Sequence, residues 1–262
     1  MNRLLFCVLT VALLFPSSSF GEGGNVNLGP RGLNGLEPHY RSSVLRGWRS
    51  FQTSYAKDGV ACINCHRSYE EMAAWAGAYP KVQVFDGTPY AVKSLSDVVL
   101  EALERHTDLS ESSCMKMVDD LVACIAWWGD GQPVTPGFSG AGRPPSQDRA
   151  KLEEAVARGR ILFKRRGPSS CSSCHSPRPR ATEPEKTSMG DSFTTFPRYD
   201  VNTRKVVSLK TFLLWHEVKY HLSLDPEDVT DISAYLARLA SRRLLRPGTP
   251  ADGSPPESSG GK

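Results

Sequence analysis

Apolar residues recur at helical spacing in two long segments, residues 112–128 and 225–243. Both segments carry an apolar residue every three or four positions, which is the spacing of a helix that buries one face. These residues are Val118, Leu121, Val122 and Ile125 in the first segment, and Val229, Ile232, Tyr235, Leu236 and Leu239 in the second. The pattern predicts two amphipathic helices that each close a similar unit.

The chain upstream of each closing helix follows the same order of short motifs. Arg46-Gly47 and Phe51 in the first half match Arg158-Gly159 and Phe163 in the second. Further on, Ala78-Tyr79-Pro80-Lys81 matches Thr195-Phe196-Pro197-Arg198, and Val92-Lys93-Ser94-Leu95 matches Val206-Val207-Ser208-Leu209. Each Ser-Leu step predicts a helix start, because a serine hydroxyl caps the first free amides. We therefore predict two all-α units, each with a first helix, a loop, a middle helix and a closing helix.

Segments rich in Gly, Pro and Ser separate these units. Residues 129–145 are rich in Gly and Pro, and residues 247–262 combine Gly, Ser and Pro with few apolar residues. Such composition is typical of linkers and of segments that bury too little apolar surface to fold. The predicted organisation is a signal peptide at 1–21, an N-terminal arm at 22–40, a first domain at 41–130, a linker at 131–149, a second domain at 150–246 and a disordered tail at 247–262.

The N-terminal segment predicts export. Arg3 precedes an apolar run over residues 4–15, and small residues lead to a cleavage site near Gly21. These features are typical of a secretory signal peptide. An uncleaved membrane anchor is the alternative, but the run is short for a bilayer span and no later stretch is apolar enough. We expect a periplasmic protein without a transmembrane anchor once the signal is removed.

The charge balance disfavours one class of partner. With 32 Lys and Arg against 28 Asp and Glu the chain carries +4, and +3 once Arg3 leaves with the signal. This small surplus predicts no nucleic-acid partner. The basic residues nevertheless cluster in the second half, at Arg158, Arg160, Lys164, Arg165, Arg166, Arg178 and Arg180. A solvated face is the ordinary interpretation of such a run, and attraction of an anionic substrate or an acidic redox partner is the alternative.

Two pentapeptides carry the chemistry of the chain: Cys62-Ile63-Asn64-Cys65-His66 and Cys171-Ser172-Ser173-Cys174-His175. Each matches the C-x-x-C-H pattern of covalent haem c attachment. Two thiols add to the vinyl groups of one porphyrin, and the adjacent histidine becomes the proximal iron ligand. Zinc or a disulfide is the alternative, although a zinc site usually takes its second ligand pair from elsewhere. We predict two covalently bound haem c groups, held by Cys62, Cys65, Cys171 and Cys174 with His66 and His175 as proximal ligands, in two class I cytochrome c-like domains in tandem.

The other cysteines do not predict a disulfide. Cys7 leaves with the signal, and Cys114 and Cys124 remain. On one continuous helix these two lie ~15 Å apart, which is too far for a bond between them. They would pair only if the helix began after Cys114, so we expect Cys124 to be a small core residue.

The sixth iron ligand decides between electron transfer and substrate chemistry. His216 lies 41 residues beyond His175, and His106 lies 40 residues beyond His66. Both follow a Ser-Leu helix start, so we predict this matched pair as the distal ligands. The alternatives are Met115, Met117 and Cys114 for the first haem, and His221 for the second.

The order of these motifs resembles the SoxA family, the dihaem subunit of a periplasmic sulfur-oxidising cytochrome. The resemblance covers roughly residues 44–246. Besides the two haem motifs it rests on Arg46-Gly47, Asp58-Gly59-Val60-Ala61, Ala78-Tyr79-Pro80-Lys81, Gly159-Arg160-Ile161-Leu162-Phe163, Phe196-Pro197-Arg198-Tyr199, Ser208-Leu209 and Ala234-Tyr235-Leu236-Ala237.

The resemblance implies a role in sulfur oxidation. SoxA-type proteins pair with a monohaem cytochrome, and together they join thiosulfate oxidatively to a cysteine of a carrier protein. The family's distal ligands are typically cysteines, and the one in the second domain carries a persulfide. Aligning Ser208-Leu209 with the family puts that cysteine at His216, while the first-domain position is Ala102, one turn before His106. Because imidazole cannot hold a sulfane sulfur, the substitution predicts a low-spin bis-histidine haem.

Together, the residues and the resemblance predict a periplasmic dihaem electron-transfer protein linked to sulfur-compound oxidation. Its expected partners are a redox cytochrome, such as a SoxX-like monohaem subunit, and a thiol carrier protein. The alternative is an enzyme subunit that couples thiosulfate to a carrier-protein cysteine, as an L-cysteine S-thiosulfotransferase does.

Overall fold

A computed structural model describes residues 32–56, 58–83, 90–137, 145–165, 170–175 and 188–249. The predicted signal peptide, most of the predicted arm and the tail beyond Thr249 lie outside these residues. So do three of the clustered basic residues, Arg166, Arg178 and Arg180. Within the described ranges, no helix combines the length and apolar character needed to cross a membrane.

The two halves have the same order of elements, and the fold is all-α. The first half contains α1 (Pro38–Gln52), α2 (Cys62–Cys65), α3 (Tyr69–Ala78), β1 (Lys81–Gln83), β2 (Ala91–Lys93), α4 (Leu95–His106) and α5 (Glu111–Trp128), after a short 3-10 turn at Leu33–Gly35. The second half contains α6 (Ser146–Phe163), α7 (Cys171–Cys174), α8 (Met189–Thr194), β3 (Arg198–Asp200), β4 (Lys205–Val207), α9 (Leu209–Tyr220) and α10 (Pro226–Leu239). The predicted all-α architecture is confirmed.

Two antiparallel ribbons were not predicted. β1 pairs with β2, where Val82 lies opposite Val92, and β3 pairs with β4, where Tyr199 lies opposite Val206. Each ribbon leads directly into the middle helix of its half.

The predicted starts of the middle helices are confirmed. The Ser94 hydroxyl accepts the amide of Asp97 at the start of α4, and the Ser208 hydroxyl accepts the amide of Thr211 at the start of α9. Each such cap stabilises its helix by about 1 kcal/mol. The caps set where α4 and α9 begin, and these helices carry the two histidines predicted as distal ligands.

Paired glycines explain the Arg-Gly repeat. α1 crosses α5 at Gly47, where an added Cβ would lie 2.0 Å from the backbone oxygen of Asp120. α6 crosses α10 at Gly159, where a Cβ would lie 1.9 Å from the backbone oxygen of Asp231. No side chain fits at either crossing, so the first and closing helices of each half pack at backbone distance.

The arginines before these glycines pair with the same two residues of the crossing helices. Arg46 donates to both carboxylate oxygens of Asp120 at 2.7 and 2.8 Å. Arg158 donates to both carboxylate oxygens of Asp231 at 2.6 and 2.9 Å. This fork geometry is the strong form of an ion pair, and it orients each pair of crossing helices.

The ribbons are exchanged between the halves. Val206 of β4 belongs to the core built around α1 and α5, and Tyr199 of β3 stacks on His39 of α1 at 4.3 Å. In return, Val92 of β2 packs against α6 and α10, where it meets Leu152, Ala155 and Ala234. Each half therefore supplies part of the wall of the other.

Polar contacts also join the halves. Asp119 of α5 accepts the backbone amide of Ser208 at 3.0 Å and the hydroxyl of Thr211 at 3.0 Å. Lys210 of α9 forms an ion pair with Asp97 of α4. The start of α9 is thus held by the other half, whereas Ser94 and Asp97 of α4 cap each other.

The chain after each closing helix is packed, which moves the predicted boundaries. The amide of Val134 donates to Arg243 at 2.8 Å, and the amide of Arg242 donates to Val134 at 2.9 Å, so the start of the predicted linker pairs with the end of the second domain. Pro247 is fully buried, and Gly248 lies against the ring of Tyr40. Residues 247–249, at the start of the predicted tail, therefore pack against the rest of the described chain.

Two helices begin earlier than the domain boundaries drawn from the sequence. Pro38 of the predicted arm starts α1, and Ser146 of the predicted linker starts α6. The Glu37 side chain accepts the amides of His39 and Tyr40 and so caps α1. Local capping chemistry, rather than composition, sets this boundary.

Candidate haem-binding sites

The two C-x-x-C-H motifs adopt the same local structure. In each, the cysteines begin and end a single helical turn, α2 or α7. The amide of His66 donates to Cys62 at 2.9 Å, and the amide of His175 donates to Cys171 at 2.9 Å. The turn brings both thiols and the histidine of each motif together, as the predicted attachment chemistry requires.

The thiols of each motif differ in exposure and are free. Cys62 and Cys171 are partly buried, whereas Cys65 and Cys174 are exposed. Burial raises the pKa of the Cys62 and Cys171 thiols. The structure therefore has no disulfide within either pair.

The first motif borders a cavity of about 460 Å³. Cys62, Cys65 and His66 line one side, and residues at the end of α4, including Ala102 and His106, line another. This volume lies within the usual range for small-molecule and cofactor sites. The cavity brings the predicted proximal and distal histidines of the first haem together.

The charge state of His66 suits metal binding. Burial lowers the pKa of His66, nearby Glu71 opposes this effect, and the charge on His106 adds to it. The imidazole is thus neutral at pH 7, which is the form that binds a metal. Its ring also meets the edge of Trp75 at 5.0 Å, which restricts its orientation.

The three alternative ligands of the first haem lie elsewhere. Neither Met115, Met117 nor Cys114 is among the described residues that line the cavity. Met115 is 61% exposed and lines a separate groove with Lys116 and Arg204, and Cys114 is fully buried in the first core. Cys124 is buried on the same helix, as expected for a small core residue.

His216 is oriented by a backbone hydrogen bond. Its Nδ1 lies 3.1 Å from the carbonyl oxygen of Phe212, one turn earlier on α9. A proton on Nδ1 that is donated to this carbonyl leaves Nε2 as the atom that can bind iron, an arrangement common among metal-binding histidines. Phe212 also packs against the ring with centroids 4.0 Å apart.

The charge of His175 acts on His216. Burial lowers the pKa of His216, the Phe212 carbonyl opposes this effect, and the charges of His175 and Lys219 add to it. Burial also lowers the pKa of His175, with a further contribution from Arg198. The predicted proximal and distal histidines of the second haem thus lie close enough to interact, as do those of the first.

His221 differs from His216 in its position. It ends α9 in a left-handed backbone conformation and is exposed. His216 is partly buried and has Trp215 and Tyr220 within 5.0 and 5.3 Å, centroid to centroid.

Arg198 is a candidate functional residue that the sequence pattern did not single out. Its guanidinium lies 4.3 Å from the ring centre of Phe196 and 5.0 Å from that of Phe212. Burial lowers the pKa of Arg198, yet the group stays charged at neutral pH. The repeat offered a signal, since Pro197-Arg198 matches Pro80-Lys81, and Lys81 lies 4.8 Å above the ring of Tyr79.

The residues present fit a covalently bound haem at each motif. Two free thiols one turn apart with a neutral imidazole beside them match what an iron porphyrin takes from a protein, and in the first site His106 lines the same cavity. In the second motif Nδ1 of His175 is buried without a hydrogen-bond partner among the described residues, the kind of atom that a bound group commonly satisfies. No group of three His, Cys, Asp or Glu side chains that could hold a bare metal ion occurs in the described part of the chain.

Comparison with known proteins identifies a shared fold. No protein-family model matches the sequence, and no curated protein matches it. Among solved structures, the chain is similar to one in the crystal structure of SoxXA from P. pantotrophus, with a TM-score of 0.60. The two are 17% identical, and the match covers 79% of this chain and 76% of that chain. This similarity supports the cytochrome c-like fold. Because fold alone does not determine function, the activity has to be inferred from the residues of the sites.

Proposed function

We propose that the chain is a dihaem c-type cytochrome that transfers single electrons in the oxidation of sulfur compounds. Cys62 and Cys65 bind the first haem, and Cys171 and Cys174 bind the second. The axial ligands are His66 and His106 in the first site, and His175 and His216 in the second.

One observation carries this proposal: His66 of the first motif and His106 at the end of α4 line one cavity, and in the second half the charge of His175 acts on His216 of α9. His106 lowers the pKa of His66, and His175 lowers the pKa of His216. The two pairs lie on equivalent helices that begin at matched Ser-Leu steps. Their recurrence favours a shared role as axial ligands over two coincidental surface histidines.

The protein's own groups prepare these ligands. Burial keeps His66, His175 and His216 neutral, and the Phe212 carbonyl turns Nε2 of His216 away from its own helix. Haem supplies a one-electron iron couple when bound, and two strong axial ligands leave that iron without an open position for substrate. Electron exchange with a docked partner is the chemistry that remains.

The link to sulfur oxidation rests on the similarity in fold to a SoxXA chain and on the motifs described above. By the same reasoning we propose a periplasmic location, a SoxX-like monohaem partner and a thiol carrier protein as a further partner.

A second candidate function is enzymatic coupling of thiosulfate to a carrier-protein cysteine. The partly buried cation of Arg198, whose charge acts on His175, favours it, because such a group could hold an oxyanion beside the second haem. This function requires His216 to leave the iron or to act without binding it. Turnover of thiosulfate with a carrier protein and a monohaem partner would support it.

Spectroscopy of the purified protein tests the leading proposal. Two added haem masses and two low-spin bis-histidine signals in electron paramagnetic resonance are expected. His216→Ala should convert only the second signal to high spin, and His106→Ala only the first, while the matched controls His221→Ala and Met115→Ala should change neither. A colourless protein, or a second signal that survives His216→Ala, would contradict the assignment.

A further inference from the structure

We propose that an acidic one-electron carrier protein docks at the second haem through a basic rim, defined as Arg160, Ile161, Lys164 and Arg165. The rim comprises the end of α6 and the two residues after it. This inference rests on the proposed function, because it names the kind of partner that exchanges electrons with the second site.

All four rim residues are solvent-exposed. Ile161 is 70% exposed, which is unusual for an isoleucine, and the three cations around it are exposed as well. Within the described residues, the ion pairs of α6 involve Arg158 and Glu153 and none of the rim cations. The rim therefore combines an exposed apolar centre with positive charge that no described carboxylate neutralises.

The rim adjoins the second haem motif. Leu162 and Phe163 lie between the two pairs of rim residues in the sequence. They pack in one cluster with Cys171. The exposed Cys174 marks where the second motif reaches the surface. A partner seated on the rim would therefore lie beside the edge at which an electron enters or leaves.

The equivalent surface of the first half is different. Counting from Arg46-Gly47, the rim positions are Trp48, Arg49, Gln52 and Thr53, which carry one cation in place of three. Trp48 is partly buried and meets Trp128 edge-on at 5.5 Å. Because α1 and α6 occupy the same place in the fold, the extra charge of the rim is not required to build the domain.

Charge at this position would act on the rate of encounter. Clustered charge attracts an oppositely charged partner and raises association rates by 10- to 1,000-fold at low salt, roughly, and the effect fades beyond a distance of about 10 Å at 0.1 M salt. An exposed apolar residue within the charged ring provides close contact once the partner has arrived. One electron then passes from the reduced second haem to the oxidised metal of the carrier, and no bond forms or breaks.

Charge variants with two kinds of oxidant test the proposal. Reduced protein is mixed with an acidic blue-copper protein, and the absorbance phase of the second haem is followed as salt is varied. We expect the wild-type rate to fall with salt, and the low-salt rate to fall about tenfold or more in Lys164→Glu/Arg165→Glu. The matched variant Arg49→Glu, at the first half, should leave that phase unchanged.

Binding supplies a readout that is independent of electron transfer. The immobilised acidic copper protein should retain the wild-type cytochrome at low salt and release Arg160→Gln/Lys164→Gln/Arg165→Gln, a variant that removes the charge without introducing repulsion. Ferricyanide is the small-anion probe. The variants could slow the reaction with ferricyanide while their binding to the copper protein and their reaction with it stay as in the wild type. In that case the rim is a small-anion site and the proposal is overturned.

The remaining outcomes are also decisive. Salt-independent rates that the variants do not change would overturn the docking proposal while the haem spectra remain bis-histidine. Spectra that are not bis-histidine would overturn the proposed function itself. If the glutamate variant fails to fold, the glutamine variant, checked by its haem spectrum, decides the question.

Discussion

The two candidate haem sites share a frame but differ in their surroundings. In the first, His106 is the last residue of α4, is exposed, and lines an open cavity. In the second, His216 lies within α9, is partly buried among aromatic rings, and has the cation Arg198 near its motif. Since burial and nearby charge set the potential of a haem with given ligands, one duplicated scaffold can hold two centres of different potential.

The helices of the two halves also differ in the contacts that stabilise them. Both α4 and α9 are capped by their own serines, and the start of α9 also contacts Asp119 of the other half. The first core gathers residues from α1, α3, α4 and α5, and it also receives Val206 from β4. The comparison indicates that each half takes part of its stabilisation from the other.

Substitution of either crossing glycine should destabilise the protein by a similar amount. Such a result would show that both halves rely on the same close helix crossing. Gly47→Ala and Gly159→Ala each place a methyl group about 2 Å from a backbone oxygen, so each should destabilise the protein by about 3 kcal/mol. Denaturant midpoints of the haem-loaded protein measure the effect. Gly35→Ala is the control, since nothing lies within 4 Å of its added Cβ; a tolerated Gly159→Ala would show that only the first crossing is tight.

Loss of the arginine should destabilise the protein more in the second half than in the first. The Asp231 side chain is 4% exposed and that of Asp120 is 20% exposed, and Asp120 also accepts the hydroxyl of Ser43. Arg158→Ala therefore leaves a more buried carboxylate and should cost about 2 kcal/mol, against about 1 kcal/mol for Arg46→Ala.

Thermal or denaturant unfolding of both variants measures this difference. Arg158→Lys and Arg46→Lys retain the charge without the fork and should recover part of each loss. Equal losses in the two alanine variants would remove burial as the distinguishing factor.

The cations near the sites should shift the potentials unequally. Arg198→Leu removes a partly buried positive charge near His175, so the second haem should become harder to reduce by on the order of 59 mV, which corresponds to tenfold in a one-electron equilibrium. Lys81→Leu should shift the first haem less, because Glu71 offsets the charge of Lys81.

Potentiometric titration followed at each haem's absorbance measures these shifts. Arg198→Lys keeps the charge and should restore most of the wild-type potential. Equal shifts in the two leucine variants would show that the surroundings of the two sites are not distinct in this respect.

Short-range chemistry made much of the fold predictable. Serine caps and the apolar stripe of residues 112–128 each depend on residues that are close in sequence, and they appear as expected, whereas each C-x-x-C segment forms a helical turn within the predicted loop. α10 ends at Leu239 rather than near Arg243, because residues 242–245 pair with the chain after α5 instead. That pairing joins residues more than a hundred positions apart, and no local pattern encodes it.

The candidate sites likewise combine features that the local sequence predicts with features that depend on distant residues. The spacing of the motifs produced the ligand candidates, but the choice between His106 and Met115 depended on which residues face the cavity. The partners of Arg46 and Arg158 lie 74 and 73 residues away. The three-residue strands are too short for an alternating pattern to reveal them, so the exchange of ribbons could not be foreseen.

That exchange has a consequence for how such a protein can change. A gene cut between its two structural repeats would encode halves that each lack a wall supplied by the other: one core would lack Val206, and the other would lack Val92. Recombination that gave away a single repeat would thus yield a poorly folded product. The interlocked scaffolds therefore favour keeping both candidate haem sites in one chain.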